Sequence, residues 1–198
     1  MQIQDELKIQ KASFVGASMG AAIALRLALT HPSHVTALIL MGSTADASTA
    51  EGTAAVNQMR DIWVSTPSPS EEIMDIAIRS WGGDPDVNGP RAQRVKRDWV
   101  ARHSGADNVD SILQSVDQRD YLLPRLHEIT VPVFLIHGEK DETWKLEGAL
   151  RIRDAIGKAT TKTYIVKHSG HLVIHMRDSE DVSQVIAKFL NEVVPQQS

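Results

Sequence analysis

No cysteine occurs anywhere in the 198 residues. That absence removes disulfides, thiolate nucleophiles and Cys-ligated zinc together. Long apolar runs are also lacking: stretches such as Val35 to Gly42, interrupted by Thr36, fall far short of a membrane span. The opening MQIQDELKIQK has no continuous apolar core of the kind a signal peptide carries, so the expected location is the cytoplasm. Nor is there an excess of positive charge. With 21 Lys and Arg against 25 Asp and Glu, the net charge is −4, and no basic cluster is present to neutralise phosphates. The expected partner is a small molecule, with no nucleic acid and no membrane. No H-E-x-x-H, phosphate-cradling glycine loop or metal-ligand cluster stands out, and no cofactor is expected.

What the chain does contain is 42% hydrophobic and 23% charged residues, enough to bury one core. Strand and helix signals alternate. ASFVGA (12–17) reads as a short buried strand, and MGAAIALRLALT (19–30) as a helix stopped by His31-Pro32. VTALILMG (35–42) and VPVFLIH (131–137) are apolar on both faces, as parallel strands covered by helices are. A helix over 143–157, a strand over 162–167 and a helix over 179–194 follow. This order predicts an α/β fold with a parallel sheet and right-handed crossovers. Residues 1–44 and 127–198 form its core. The intervening 45–126 reads as an inserted helical lid: it has helical periodicity, no convincing strand, and Trp63, Trp81 and Trp99.

The chemistry centres on Gly16-Ala17-Ser18-Met19-Gly20, a G-x-S-x-G between a strand and a helix. Such a turn projects the Ser18 hydroxyl beside a helix N-terminus that favours negative charge. A serine needs a neighbouring base. Of eight histidines, His31 and His34 lie at the far end of the helix, His103 and His127 border the insertion, and His137 ends a strand as a core histidine. His171, in the loop of VKHSGHLVIH after the last strand, is the preferred base, with His168 and His175 as neighbours to weigh against it. Asp141, in the loop after LIHG, is the preferred orienting acid and Asp46 the runner-up. Both loops open on the carboxyl edge of the sheet, where ligands bind in open α/β folds. Trp63, Trp81, Met59 and Met74 are candidate pocket residues, with core packing as the competing role.

Ser, Asp and His in that chain order resemble the α/β-hydrolase superfamily. GASMGAAIALRLALTHPSHVTALILMGS, VPVFLIHGEKD and SGHLVIHMRDSEDVSQVIAKFL are similar to its lid-bearing esterase and enol-lactonase branch, from about residue 12 to 194. The resemblance implies a serine hydrolase of small carboxylic esters or lactones. It makes Ser18 the nucleophile, His171 the general base and acid, Asp141 its orienting partner, and the Met19 N–H an oxyanion donor. Relatives of this kind place several strands before the nucleophile, and a loop there supplies a second oxyanion donor. Residues 1–11 offer no counterpart. The expectation is therefore a shortened sheet with weakened catalysis, an exposed strand edge covered by a second copy in a homodimer, and a helical segment 1–11 shielding the gap. The alternative function is an inactive remnant that serves as an interaction module or needs a partner to complete the fold.

Overall fold

The computed structural model describes residues 2–64, 68–81, 86–102, 106–157, 159–173 and 179–194. Four parallel strands, β1 (Ala12–Ala17), β2 (Val35–Met41), β3 (Val133–Gly138) and β4 (Thr161–Val166), lie in the order β1-β2-β3-β4. The helices are α1 (Gln2–Glu6), α2 (Met19–Thr30), α3 (Ala50–Val64), α4 (Glu71–Ser80), α5 (Pro90–Arg102), α6 (Ala106–Asp117), α7 (Leu146–Ala155) and α8 (Ser179–Val193). The parallel α/β architecture is the one the alternating pattern predicts, and α3 to α6 all fall between β2 and β3 in the chain.

Strand alternation divides the core between the two faces of the sheet. Leu38 and Leu40 of β2, with Val133 and Leu135 of β3, pack against Leu25 and Leu29 of α2 and Ile152 of α7. Ala37, Ile39 and Met41, with Phe134 and Ile136, pack on the other face against Val182 and Phe189 of α8. Burial on both faces explains why β2 and β3 are near-continuous apolar runs. The inserted helices carry a cluster of their own, built on Trp63, Ile73, Met74, Val109 and Leu113. Beside it, Lys96 on α5 is almost wholly buried, with its ammonium 2.7 Å from Glu71 and 2.5 Å from Asp75. Those carboxylates raise its pKa and keep the charge tolerable in place.

Several boundaries move by one or two residues, and the starts of β3 and α7 move for identifiable local reasons. β3 starts at Val133 rather than 131, because Pro132 has no N–H for the ladder; its carbonyl instead accepts from Leu38 N–H at 2.9 Å. α7 starts at Leu146 rather than 143, because the Asp141 Oδ1 accepts the N–H of Thr143 and of Trp144, both at 2.9 Å, and holds that turn out of the helix. The segment 1–11 is helical only over Gln2–Glu6, and it shields less than its pattern suggests. Ile3 is 73% exposed and Leu7 64%, while Gln4 is the buried residue, reaching the His34 carbonyl. A five-residue helix offers too little surface to bury a full apolar face.

The turn from β1 to α2 depends on one glycine. A Cβ on Gly16 would lie 2.3 Å from the Gly20 carbonyl oxygen, so helix and strand approach more closely there than any side chain permits. At Gly20, by contrast, an added Cβ meets nothing within 4 Å. The second glycine of the motif is therefore not sterically required. Gly16→Ala should lower stability by about 1–3 kcal/mol through overpacking. Gly20→Ala should be neutral or stabilise by up to about 1 kcal/mol, since alanine suits a helix better. Urea denaturation of both variants checks the pair.

Candidate active site

Ser18 caps the N-terminus of α2 with φ 53°, in the left-handed region that few non-glycine residues adopt. Its N–H continues the sheet by donating to the Met41 carbonyl at 2.9 Å. Its hydroxyl makes no cap hydrogen bond, although serine at this position usually makes one. Instead the Oγ lies 2.8 Å from His171 Nε2. His171 Nδ1 lies 2.7 Å from Asp141 Oδ2. A carboxylate only accepts, so Nδ1–H donates to Asp141, and Nε2 is left as the acceptor for the serine hydroxyl. His171 and Asp141 are both about 95% buried.

Three loops at the carboxyl ends of β1, β3 and β4 thus bring the three sequence candidates into one hydrogen-bonded row. Gly42, after β2, supports the row from behind: at φ 51°, a Cβ there would lie 3.0 Å from His171 Nδ1. His137, at the end of β3, is fully buried and adds a fourth member. Its Nε2–H donates to the Trp144 carbonyl at 2.7 Å and lies 3.3 Å from Asp141 Oδ2. Its Nδ1 has no hydrogen-bond partner among the described residues. Burial, the largest influence, holds its pKa below the ordinary histidine value, against the pull of Asp141.

The other candidates separate cleanly. His31 is exposed beside Thr30, His127 is exposed and turned to the Pro124 carbonyl, and His168 faces solvent near Glu139. His34 is half-buried at the far end of α2. His103 and His175 lie outside the described residues. Asp46 does not reach His171; its carboxylate takes the Thr44 hydroxyl at 3.0 Å and pairs with Arg151.

Above Ser18 opens a cavity of about 1570 Å³. One arm is aromatic, with Trp63 against Trp99 at 4.8 Å between ring centres and Trp81 against Trp99 at 5.7 Å. Met59 also lines this arm, but Met74 does not: it is buried in the packed cluster of the inserted helices, where helical spacing of apolar residues serves packing. The other arm holds Trp144, Arg119, Tyr121 and Arg151, none of which sequence reasoning selected. Only Trp144 carried a signal, since it falls in the same turn as Asp141. The backbone N–H of Met19, in the first turn of α2, has no acceptor within its own helix. The inserted helices also touch the His171 loop directly, through Leu172 N–H donating to the Trp81 carbonyl at 2.6 Å. No helix among the described residues is long and apolar enough to cross a membrane.

Comparison with known proteins agrees with this architecture. A protein of Bacillus subtilis (strain 168), provisionally named a 2-succinyl-6-hydroxy-2,4-cyclohexadiene-1-carboxylate synthase, is 28% identical over 206 residues, 97% of this chain and 70% of that protein. The chain spans 58–70% of the lengths of the curated relatives it matches. A thermophilic esterase from Thermogutta terrifontis shares the fold at a TM-score of 0.81 and 18% identity, over 98% of this chain and 70% of its own. The enol-lactonase from Burkholderia xenovorans LB400 does so at 0.78 and 21%, over 96% and 69%. The family model described as serine aminopeptidase, S33 matches residues 1–178. This chain accordingly belongs to that family of hydrolases, within the α/β-hydrolase superfamily.

Proposed function

We propose that the protein cleaves a small carboxylic ester or lactone through Ser18, His171 and Asp141. The observation that carries this reading is the continuous row from Asp141 Oδ2 to His171 Nδ1 at 2.7 Å and from His171 Nε2 to Ser18 Oγ at 2.8 Å. Nε2 takes the hydroxyl proton as Oγ attacks the carbonyl carbon. Negative charge then develops on the carbonyl oxygen beside the Met19 N–H and the N-terminus of α2. The intermediate collapses to an acyl-enzyme as the leaving oxygen takes the proton from Nε2. Water gives a proton to the same nitrogen as its oxygen attacks the acyl carbon; the bond from that carbon to Oγ then breaks, the acid leaves, and Nε2 returns the proton to Ser18 Oγ. Asp141 holds the ring with Nδ1 protonated throughout.

On this reading residues 45–126 are a lid on a core of residues 1–44 and 127–198. The aromatic arm then receives the apolar part of the substrate, with Trp63, Trp81 and Met59 as its walls. Apolar lining with a few fixed polar groups is the usual composition of small-molecule sites.

The uncovered side of β1 favours a second reading, in which a second copy completes the sheet. Among the described residues β1 pairs only with β2, and Val15 is 50% exposed. Unpaired apolar edges invite strand addition. Sedimentation across the micromolar range should show a reversible dimer; a monomer at every concentration removes this reading.

Ser18→Ala should abolish the stoichiometric burst and steady turnover of a chromogenic short-chain aryl ester, a loss of at least about 10³-fold. Asp141→Asn should lower kcat by about 10⁴-fold by favouring the wrong tautomer. Equal rates in wild type and Ser18→Ala would overturn the assignment.

His137 adds a prediction about pH. Folding holds it neutral, while the unfolded chain titrates at the ordinary value of about 6.5. The unfolded chain therefore binds more protons below that pH, and stability should fall as the pH drops through 6.5 toward 5. In His137→Gln this decline should be shallower, as read from urea midpoints at each pH.

A further inference from the structure

Arg119 differs from the other cations of the cavity wall. Arg151 is paired with Asp46, and Arg102 and Lys145 are solvent-exposed. Away from the cavity, Arg26, Arg60 and Lys96 each face a carboxylate. Arg119 is half-buried, and among the described residues no carboxylate stands within ion-pair distance of it. Its Nε donates to the Asp46 carbonyl at 2.9 Å and its Nη1 to the Val116 carbonyl at 2.6 Å. These bonds tie the guanidinium to the loop after β2 and to the end of α6. Nη2 makes no hydrogen bond among the described residues.

The electrostatics agree with that inventory. Burial lowers the Arg119 pKa and outweighs the opposing influence of Asp117 and Asp46. Neither carboxylate lies within ion-pair distance of the guanidinium: Asp46 pairs with Arg151, and Asp117 accepts the Thr53 hydroxyl at 2.6 Å. A half-buried guanidinium with no anion at ion-pair distance is poised to take one.

Its place relative to Ser18 says which anion. The Arg119 guanidinium carbon sits 5.2 Å from the centre of the Trp144 indole, a cation–π contact. The same indole meets the His171 ring edge-on at 5.3 Å. One indole therefore touches both the guanidinium and the imidazole of His171, and all three residues line one cavity. We propose that Arg119 is the anion anchor of this site, and that the preferred substrate is an ester or lactone carrying a carboxylate a few bonds from the carbonyl that Ser18 attacks. The proposal rests on the hydrolase reading of Ser18. The planar fork of arginine matches a carboxylate, and its two backbone tethers fix the fork before the ligand arrives. Asp98, Glu142 and Glu147, which also line the cavity, repel an anion from other positions. The aromatic arm remains for the uncharged part of the substrate.

The test compares two aryl esters that differ in one terminal group, mono-4-nitrophenyl adipate and its carboxamide twin. The wild-type ratio of kcat/KM, acid over amide, should be about 10–100, the range of a hydrogen bond to a charged group. Arg119→Gln should bring this ratio close to one, chiefly through KM for the acid, and Arg119→Lys should retain part of it. A wild-type ratio near one, or equal losses on both esters in both variants, overturns the proposal. Calorimetric titration of adipamic acid and of adipamide decides the anchor without turnover. The acid should bind at least about tenfold tighter to wild type and lose that advantage in Arg119→Gln; equal affinities overturn the proposal. If Ser18→Ala hydrolyses the esters as fast as wild type, the hydrolase reading fails on its own, and the binding difference still decides the role of Arg119.

Discussion

The carboxylate of Asp141 is the contact on which the site depends. Its Oδ1 holds the N–H groups of Thr143 and Trp144, which shapes the turn after β3 and delays the start of α7. Its Oδ2 takes the His171 Nδ1–H and lies near His137. Each bond constrains another: the turn fixes Trp144, the Trp144 carbonyl holds His137, and His137 closes on Asp141. Such a buried polar ring favours one geometry, because any member that leaves exposes another unsatisfied. One nitrogen of this ring, the buried Nδ1 of His137, has no hydrogen-bond partner among the described residues.

The serine side of the row depends on a different constraint. Close approach at Gly16 sets α2 against β1, and Ser18 takes up the resulting turn at φ 53°. Backbone strain is thus placed at the residue whose hydroxyl must reach outward instead of capping its own helix. The sheet supplies the rigidity that maintains it, through the Ser18 N–H bonded to β2 and a core packed on both faces.

Much of this was legible in the sequence, for reasons that differ between segments. β1 and α2 could be read to the residue because an apolar hexamer, a G-x-S-x-G and His31-Pro32 punctuate them clearly. Ser18, Asp141 and His171 could be selected because each follows a strand, and the carboxyl ends of parallel strands share an edge. The cavity wall was harder to foresee. Trp144 has a local cue, but Arg119 acquires its meaning only when the end of α6 and the loop after β2 supply carbonyls to it. Met74 shows the converse: its spacing is the same whether it faces a pocket or a core, and only packing with Ile73, Val109 and Leu113 assigns it. The burial of Gln4 in place of Ile3 likewise reflects what α1 meets, which its own pattern does not contain.

The chain has four tryptophans, Trp63, Trp81, Trp99 and Trp144, and all four line the cavity. With only two tyrosines beside them, nearly all the intrinsic ultraviolet emission of the protein arises from the walls of one chamber. Trp144 lies under a guanidinium and against the imidazole, while the other three form a group in mutual contact on the aromatic arm. Occupancy of either arm is thereby written into the native fluorescence, and the molecule carries its own optical probe without a label.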